Sequence, residues 1–307
     1  MISAAEPRAS VTVRVPAKIN LELCVGPLRR DGYHDLATVF HAVDLVDHVE
    51  VRPAAEWGIS VAGTDSHLVP ADDSNLALAA AKMLAGTHTE QASPVHVHID
   101  KQIPVAGGMA GGSADAAGAL VACDALWGLG LGIEGLHEYA ARLGSDVNFA
   151  LVGGTAVGSG RGENVVPALT SGQYDWVVVQ AEGGLSTPAV FREIDRLRAD
   201  REVAAPEASA SMLTALRGGD VEALAAALDN DLQEAAFSLR PELAEVRDAG
   251  LMLGALGGLV SGSGPTIVFL ASDERAAAEL AAALVASGAA RRVHTARGPV
   301  PGAHVVD

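Results

Sequence analysis

The stretch Pro104–Ala117, reading PVAGGMAGGSADAA, holds residues whose types and spacing point directly to chemistry. Gly107, Gly108, Gly111 and Gly112 lead through Ser113 into the small-residue run Ala114–Val121. Glycine lets the backbone come within hydrogen-bonding reach of an oxyanion, where a Cβ would stand in the way. A strand before the loop and a helix after it would aim the first helical N–H groups at the guest, with the helix dipole adding to the pull. A phosphate compound is the expected guest, and a glycine-rich turn with no ligand is the plain alternative. Spacing excludes two common phosphate loops. No glycines within Gly107–Gly112 fall at the offsets of the dinucleotide fingerprint, and Ser113 stands where a Walker A loop needs its lysine.

Other chemistry-bearing residues are scattered along the chain. Lys18 and Asn20 lie two apart on an expected strand, so both side chains leave one face, about 7 Å apart. Together they could orient a hydroxyl or a transferring phosphoryl group, or simply occupy a solvated face. Asp146 follows Leu143-Gly144-Ser145 and is either a cap or a base that orients a hydroxyl. Asp115, in the first turn after the glycine loop, needs no more than a dipole-complementing role. Arg30-Asp31-Gly32-Tyr33-His34-Asp35 sets a turn before an aromatic ring and an imidazole, which could stack on a base and bond its edge. A hairpin turn with a partly buried tyrosine explains the same residues. Ser261–Thr266 is a second anion cradle or a tight turn, and His41, His48, His96 and His98 have no metal-binding spacing.

The elements that must position these residues follow from periodicity. Val11–Val15 alternates as a strand, Pro16 interrupts it, and Ile19, Leu21 and Leu23 resume it. Strands are also expected within Ala37–Val51 and at Val95–Ile99, Trp176–Gln180 and Ile267–Leu270. Helices are expected at Asn75–Leu84 with Ser74 as N-cap, Ala114–Leu126, Glu134–Leu143 stopped by Gly144, Pro188–Arg198, Met212–Leu228, Pro241–Ala249 and Glu274–Ser287. Gly153–Gly162 reads as a glycine-dense turn region, and Ala199–Ser211 as a surface connection. No internal repeat stands out.

With 307 residues, 49% of them hydrophobic, the chain can bury a large core in one or two domains. Aromatics make up only 4%, so helices should pack closely on small side chains. A net charge of −17 argues against a general nucleic-acid or anionic-membrane surface, and it requires a phosphate site to make its own positive field. Cys24 and Cys123 lack metal or disulfide spacing and read as two buried reduced thiols. The first ten residues lack the apolar core of a signal peptide, and no long apolar stretch appears, which suits a cytoplasmic protein.

Taken together, these segments resemble the GHMP kinase superfamily, named for galactokinase, homoserine kinase, mevalonate kinase and phosphomevalonate kinase. Pro16-Ala17-Lys18-Ile19-Asn20-Leu21, Pro104–Ala117 and Ser261-Gly262-Ser263-Gly264-Pro265-Thr266 match its three motifs in order. The resemblance implies an α+β fold of two domains. Residues 1–170 would form an ATP-binding, ribosomal protein S5 domain 2-like unit, and residues 171–307 a ferredoxin-like unit. Arg30–His34 and Gly144–Val147 further resemble the branch that uses ATP to phosphorylate the 2-hydroxyl of 4-diphosphocytidyl-2-C-methyl-D-erythritol, in the non-mevalonate isoprenoid pathway.

That resemblance implies roles residue by residue. Asp146 would take or orient the hydroxyl proton, with Lys18 neutralising charge and Asn20 holding the erythritol portion. Tyr33 and Phe191 would sandwich cytosine, His34 would read its edge, and Thr187 would lie nearby. Asn75 and Lys101 would line the adenine side. Pro104, Val105, Ala106, Gly107, Gly108, Met109, Ala110, Gly111, Gly112, Ser113 and Ala114 would cradle the triphosphate. Mg²⁺ is expected, held by phosphates, Ser113 and water. Small molecules would be the only partners, with no nucleic acid and no membrane. The chain departs from the family where Ala110 and Ala114 replace a usual Gly and Ser, and where Asn148 replaces a usual Pro. The rival readings are another kinase of the superfamily, a related decarboxylase, and a silent nucleotide-binding regulator.

Overall fold

The structure, a computed structural model, describes residues 9–306 apart from Ala106 and Asp200. Ala106 of the expected phosphate loop therefore lies outside the described residues, as does most of the N-terminal stretch read as lacking a leader. Strands β1 (Val11–Leu28) and β2 (His34–Pro53) pair antiparallel along nearly their whole length. Pro16 does not end β1. A register shift between Pro16 and Ala17 absorbs the missing N–H, and a second follows between Asn20 and Glu22. Lys18 and Asn20 thus sit on a short segment between two irregularities, where the strand is re-aimed.

β3 (Gly58–Gly63), α1 (Leu76–Thr87) and β4 (Val95–Lys101) follow. β4 is half-buried in strict alternation, with Val95, Val97 and Ile99 in the core, as its pattern requires. The N-cap of α1 is Asn75 rather than Ser74: its Oδ1 accepts from the Ala77 N–H at 2.9 Å, while the Ser74 hydroxyl donates to Asp72. Next come α2 (Gly111–Trp127), α3 (Gly132–Leu143) and α4 (Ser145–Val152). Residues Ala114–Leu120 of α2 are buried on every side. A Cβ on Gly118 would come within 2.8 Å of Val49, so a small-residue helix is what lets α2 lie this close to the sheet.

The glycine-dense region is not all turn. β5 (Thr155–Gly160) pairs with β2, and β6 (Asn164–Pro167) pairs with β5. Gly158 sits directly against the Phe40 ring, where no side chain would fit. Cross-strand pairing to a buried partner made a strand of a segment with little local β-propensity.

The chain then builds β7 (Tyr174–Gln180), α5 (Thr187–Arg198), α6 (Ala210–Gly218), α7 (Val221–Ala227), β8 (Asp229–Asn230), α8 (Gln233–Leu239), α9 (Glu242–Met252), β9 (Gly257–Val260), β10 (Ile267–Ala271), α10 (Glu274–Ala286), β11 (Arg292–Gly298) and β12 (His304–Val306). The expected helix over Met212–Leu228 is two helices. Gly219, at φ 70°, ends the first, and the Asp220 carboxylate caps the second through the Glu222 and Ala223 N–H groups.

β11, β7, β10 and β9 form an antiparallel sheet in that order. Val177, Val179, Ile267 and Phe269 face its own helices, while Trp176, Val178, Val268 and Leu270 join the core of the first sheet. The two halves therefore share one continuous core. β8 and β12 even return to pair with β1. Cys123 is buried, but Cys24 is only half-buried; burial, with Glu22 beside it, pushes its thiol up to about 11. Among the described residues no helix is long and apolar enough to cross a membrane.

Candidate active site

The three sequence motifs meet at one point. Lys18 Nζ donates to Asn20 Oδ1 at 2.7 Å and to the Gly108 carbonyl at 2.9 Å, with Asp146 Oδ2 3.9 Å away. Asn20 Nδ2 in turn donates to Thr38 Oγ1 at 2.7 Å. Gly262 closes the other side: a Cβ there would lie 3.2–3.3 Å from Gly108 O, Asn20 Oδ1 and Lys18 Nζ, and its φ of +57° already favours glycine. Asn230 Nδ2 holds the motif by donating to the carbonyls of Val260 and Gly262. The solvated-face reading of Lys18 and Asn20 is thus corrected, since only 7% and 3% of each is exposed. Burial holds the Lys18 ammonium below the ordinary lysine range, and Asp146 pulls the other way.

A cleft of about 900 Å³ opens over this junction. Its floor carries Lys18, Asn20 and Asp146, and its wall the glycine loop at Gly107, Gly108, Ala110, Gly111, Gly112 and Ser113. The loop ends in the N-terminus of the 17-residue α2, which no side chain caps. Its first N–H groups therefore remain available to an anion in the cleft. Ala110, in place of the family's usual Gly, is left-handed at φ 58° and carries the strain of its Cβ there. Pro104, Met109 and Ala114 are buried behind the loop, and Val105 is half-buried; none of the four lines the cleft.

Tyr33, His34, Thr187 and Phe191 also line the cleft. His34 and Phe191 stack with ring centroids 5.3 Å apart. Nδ1 of His34 lies 2.8 Å from the Gly26 carbonyl, which can only accept, so that nitrogen carries the proton. Nε2 is buried without a hydrogen-bond partner, with Asp195 Oδ2 3.4 Å away. Tyr33 is 54% exposed rather than partly buried. Thr187 Oγ1 bonds Ser263 Oγ at 2.8 Å, tying α5 to the third motif.

Asn75 and Lys101 do not line this cleft, and their expected place beside adenine remains an expectation. Both ends of the Asn75 amide are used, in capping α1 and in donating to the Pro70 carbonyl. Lys101 is buried beneath the loop, 2.5 Å from Asp47 Oδ2 and 2.7 Å from Asp115 Oδ2. Burial opposes its charge, but the two aspartates outweigh it and raise its pKa. Burial also raises the Asp115 carboxyl. Asp115 thus belongs to a buried network under α2, beyond the dipole role read from sequence.

Residues that sequence reading passed over also line the cleft: Phe40, Ser145, Arg161, Gly162, Arg192 and Asp195. Asp195 had a signal, since it follows Phe191 by one helical turn and shares its face. Arg161 had none. Asn148, where the family usually has Pro, accepts at Oδ1 from His137 Nδ1 at 3.0 Å and donates through Nδ2 to the Glu163 carbonyl at 3.0 Å. It thereby ties α4 to the β5–β6 turn.

Comparison with known proteins agrees with this geometry. The family of GHMP kinases N terminal domains matches residues 75–154, and that of GHMP kinases C terminal matches residues 212–290. The chain is 57% identical to the 4-diphosphocytidyl-2-C-methyl-D-erythritol kinase of Thermobifida fusca (strain YX), over 97% of this chain and 98% of that one. A crystal structure of 4-(cytidine 5'-diphospho)-2C-methyl-D-erythritol kinase superposes with a TM-score of 0.76 at 33% identity, covering 93% of this chain and 98% of the other. Homoserine kinase from Cytophaga hutchinsonii shares the fold, with a TM-score of 0.72 at 19% identity and full coverage of both chains. The phosphate-type loop, the buried lysine and the two-domain fold therefore have one explanation: the chain belongs to the GHMP kinase family and is a small-molecule kinase.

Proposed function

We propose that this kinase transfers the γ-phosphoryl group of ATP to the 2-hydroxyl of 4-diphosphocytidyl-2-C-methyl-D-erythritol, in the cytoplasm, as a step of non-mevalonate isoprenoid synthesis. The observation that carries this reading is the cleft itself: one space joins an uncapped helix N-terminus, a Lys–Asp pair and a base-sized aromatic end. The relatives' names support the same substrate. The division into an ATP-binding half over 1–170 and a C-terminal half over 171–307 is part of this proposal.

Phosphoryl transfer of this kind rests on positioning and charge neutralisation. The α2 N-terminus and the N–H groups of the glycine loop would bind the triphosphate. Asp146 would hold the acceptor hydroxyl and take its proton, while Lys18 spreads its charge over the attacking oxygen and the transferring group. Asn20 sets the lysine's direction and offers an amide to the polyol. No cluster of three His, Cys, Asp or Glu side chains could hold a metal among the described residues. The donor set suits an Mg²⁺ ion held mainly by phosphate oxygens and water, with the Ser113 hydroxyl as the protein's ligand. Bound there, Mg²⁺ would supply shielding of the phosphate charge.

Away from the Lys–Asp pair, the His34 tautomer that keeps its proton on Nδ1 would offer an Nε2 lone pair beside the Asp195 carboxylate. Two acceptors side by side match the two hydrogens of the cytosine 4-amino group and repel the uracil 4-oxygen. Stacking on Tyr33 and Phe191 tolerates any base, so selectivity should come from His34. In steady-state assays the CDP-linked alcohol should be used in strong preference to its uridine analogue, and His34→Ala should reduce that preference while leaving the KM for ATP unchanged. Equal use of homoserine, mevalonate or free methylerythritol by the wild-type enzyme would keep the family and overturn the substrate.

A further inference from the structure

Arg161 stands in the turn between β5 and β6, outside every motif that identified the site. Its guanidinium carbon lies 4.8 Å from the Tyr33 ring centroid, and the residue lines the cleft. The turn is firmly held. The Arg161 N–H donates to Glu163 Oε2 at 2.5 Å, Gly162 N–H donates to the Ser159 carbonyl at 3.1 Å, and Asn148 on α4 donates to the Glu163 carbonyl at 3.0 Å. Gly162 packs beside Ser145, the neighbour of Asp146, with room for a Cβ only 3.7 Å from the serine's own. The turn therefore reaches from the transfer end of the cleft, at Asp146, to the base end, at Tyr33. Among the described residues the Arg161 guanidinium pairs with no carboxylate, whereas Arg196 and Arg198 on α5 are paired with Glu193 and Asp231.

We infer that Arg161 binds the diphosphate bridge of the substrate, and so selects a nucleoside-diphosphate-linked alcohol over a free nucleoside or a free polyol. This rests on the substrate reading above. A guanidinium is planar: its face can rest on a tyrosine ring while its N–H edge donates to phosphate oxygens in the same plane. The interval between Tyr33 and Asp146 is where a bridge joining base and polyol must run. A chain of net charge −17 repels such a dianion unless a local cation meets it. Lys18 stands beside Asp146 instead, aimed by Asn20 and Gly108. Arg192 also lines the cleft, from α5, and is the competitor for the same role.

The test is calorimetric binding of CDP and of cytidine to the full-length enzyme, with the ATP site filled by a non-hydrolysable analogue. Wild type should bind CDP more tightly than cytidine. Arg161→Gln keeps a planar group for Tyr33 and removes the charge, so it should weaken CDP about tenfold or more and leave cytidine within about twofold. The KM for the CDP-linked alcohol should rise in parallel, with the KM for ATP unmoved. Equal losses for CDP and cytidine would mean that Arg161 only braces Tyr33, and would overturn the inference. So would an unchanged Arg161→Gln, or loss of the CDP preference in Arg192→Gln instead. Wild-type enzyme that bound neither cytidine nor CDP would overturn the substrate reading along with it.

Discussion

Burial works against the Lys18 charge, Asp146 works for it, and the groups beside the lysine aim it. Asn20 and the Gly108 carbonyl accept two of its three hydrogens, leaving one for the cleft. Because the functional pair lies outside the glycine loop, Lys18→Ala and Asp146→Asn should each lower kcat more than tenfold, a loss beyond about 1.4 kcal/mol, with ATP affinity nearly intact. A variant that retained more than a tenth of wild-type kcat would lose its assigned role. The sign of the pH response follows from the same contacts. Burial lowers the Lys18 pKa from 10.5, so the charge it supplies is lost on the alkaline side at a lower pH than for an ordinary lysine. Asp146 opposes that lowering, so Asp146→Asn should move the Lys18 titration further down. Following the pH dependence of Lys18 labelling by an amine reagent checks it, and an upward shift would contradict it.

At the scale of elements, α2 connects the site to the core. Its N-terminus faces the cleft, its body is buried on all sides, and beneath its first turn Lys101 bridges Asp47 and Asp115. Gly111 stands between the two. Its backbone does not lie in the left-handed region, but a Cβ there would come 2.9 Å from Lys101 Nζ and 3.2 Å from Ile103. Gly111→Val should therefore push the helix N-terminus off the lysine and weaken ATP binding by an order of magnitude or more, with less effect on the CDP-linked substrate. Calorimetry with ATP on folded protein measures this, and unchanged affinity would place the triphosphate elsewhere.

Across the whole molecule, His41 is a joint between the halves. It lies on β2, bonds Thr155 on β5 at 2.8 Å, and packs its ring against Tyr174 and Trp176 of the second sheet. Burial drives its pKa from 6.5 down to about 3. Between those values the unfolded chain binds a proton that the folded protein refuses, so stability rises with pH across that window and falls as the solution is acidified. The steepest slope this one group can add is about 1.4 kcal/mol per pH unit. Urea unfolding between pH 4 and 7 should show a shallower dependence on pH in His41→Gln than in wild type. Identical slopes would remove His41 as the source. Loss of this joint should release both halves together, because Trp176, Val178 and Leu270 share a core with Val15 and Val49.

Much of the local order was legible in the sequence because local rules decide it. Alternation placed β4, the glycine loop and following alanines placed α2, and Gly144 ended α3, each from short-range sterics and periodicity. Lys18, Asp146 and Gly107–Ser113 were picked out by their resemblance to the family's motifs, and the structure brings them to one cleft. What only the tertiary structure decided concerns partners far away in the chain. Lys101 became a buried network member because Asp47 and Asp115 reach it across the sheet. Asn75 is the exception, since its partners Ala77 and Pro70 lie only two and five residues away. Lys18 and Asn20 lost their solvent because Gly262 and Asn230, more than two hundred residues on, close over them. Arg161 entered the cleft because Asn148 holds its turn against α4. Burial and ion pairing are properties of neighbours in space, and a linear pattern carries the spacing of residues along the chain but not the distances across the fold.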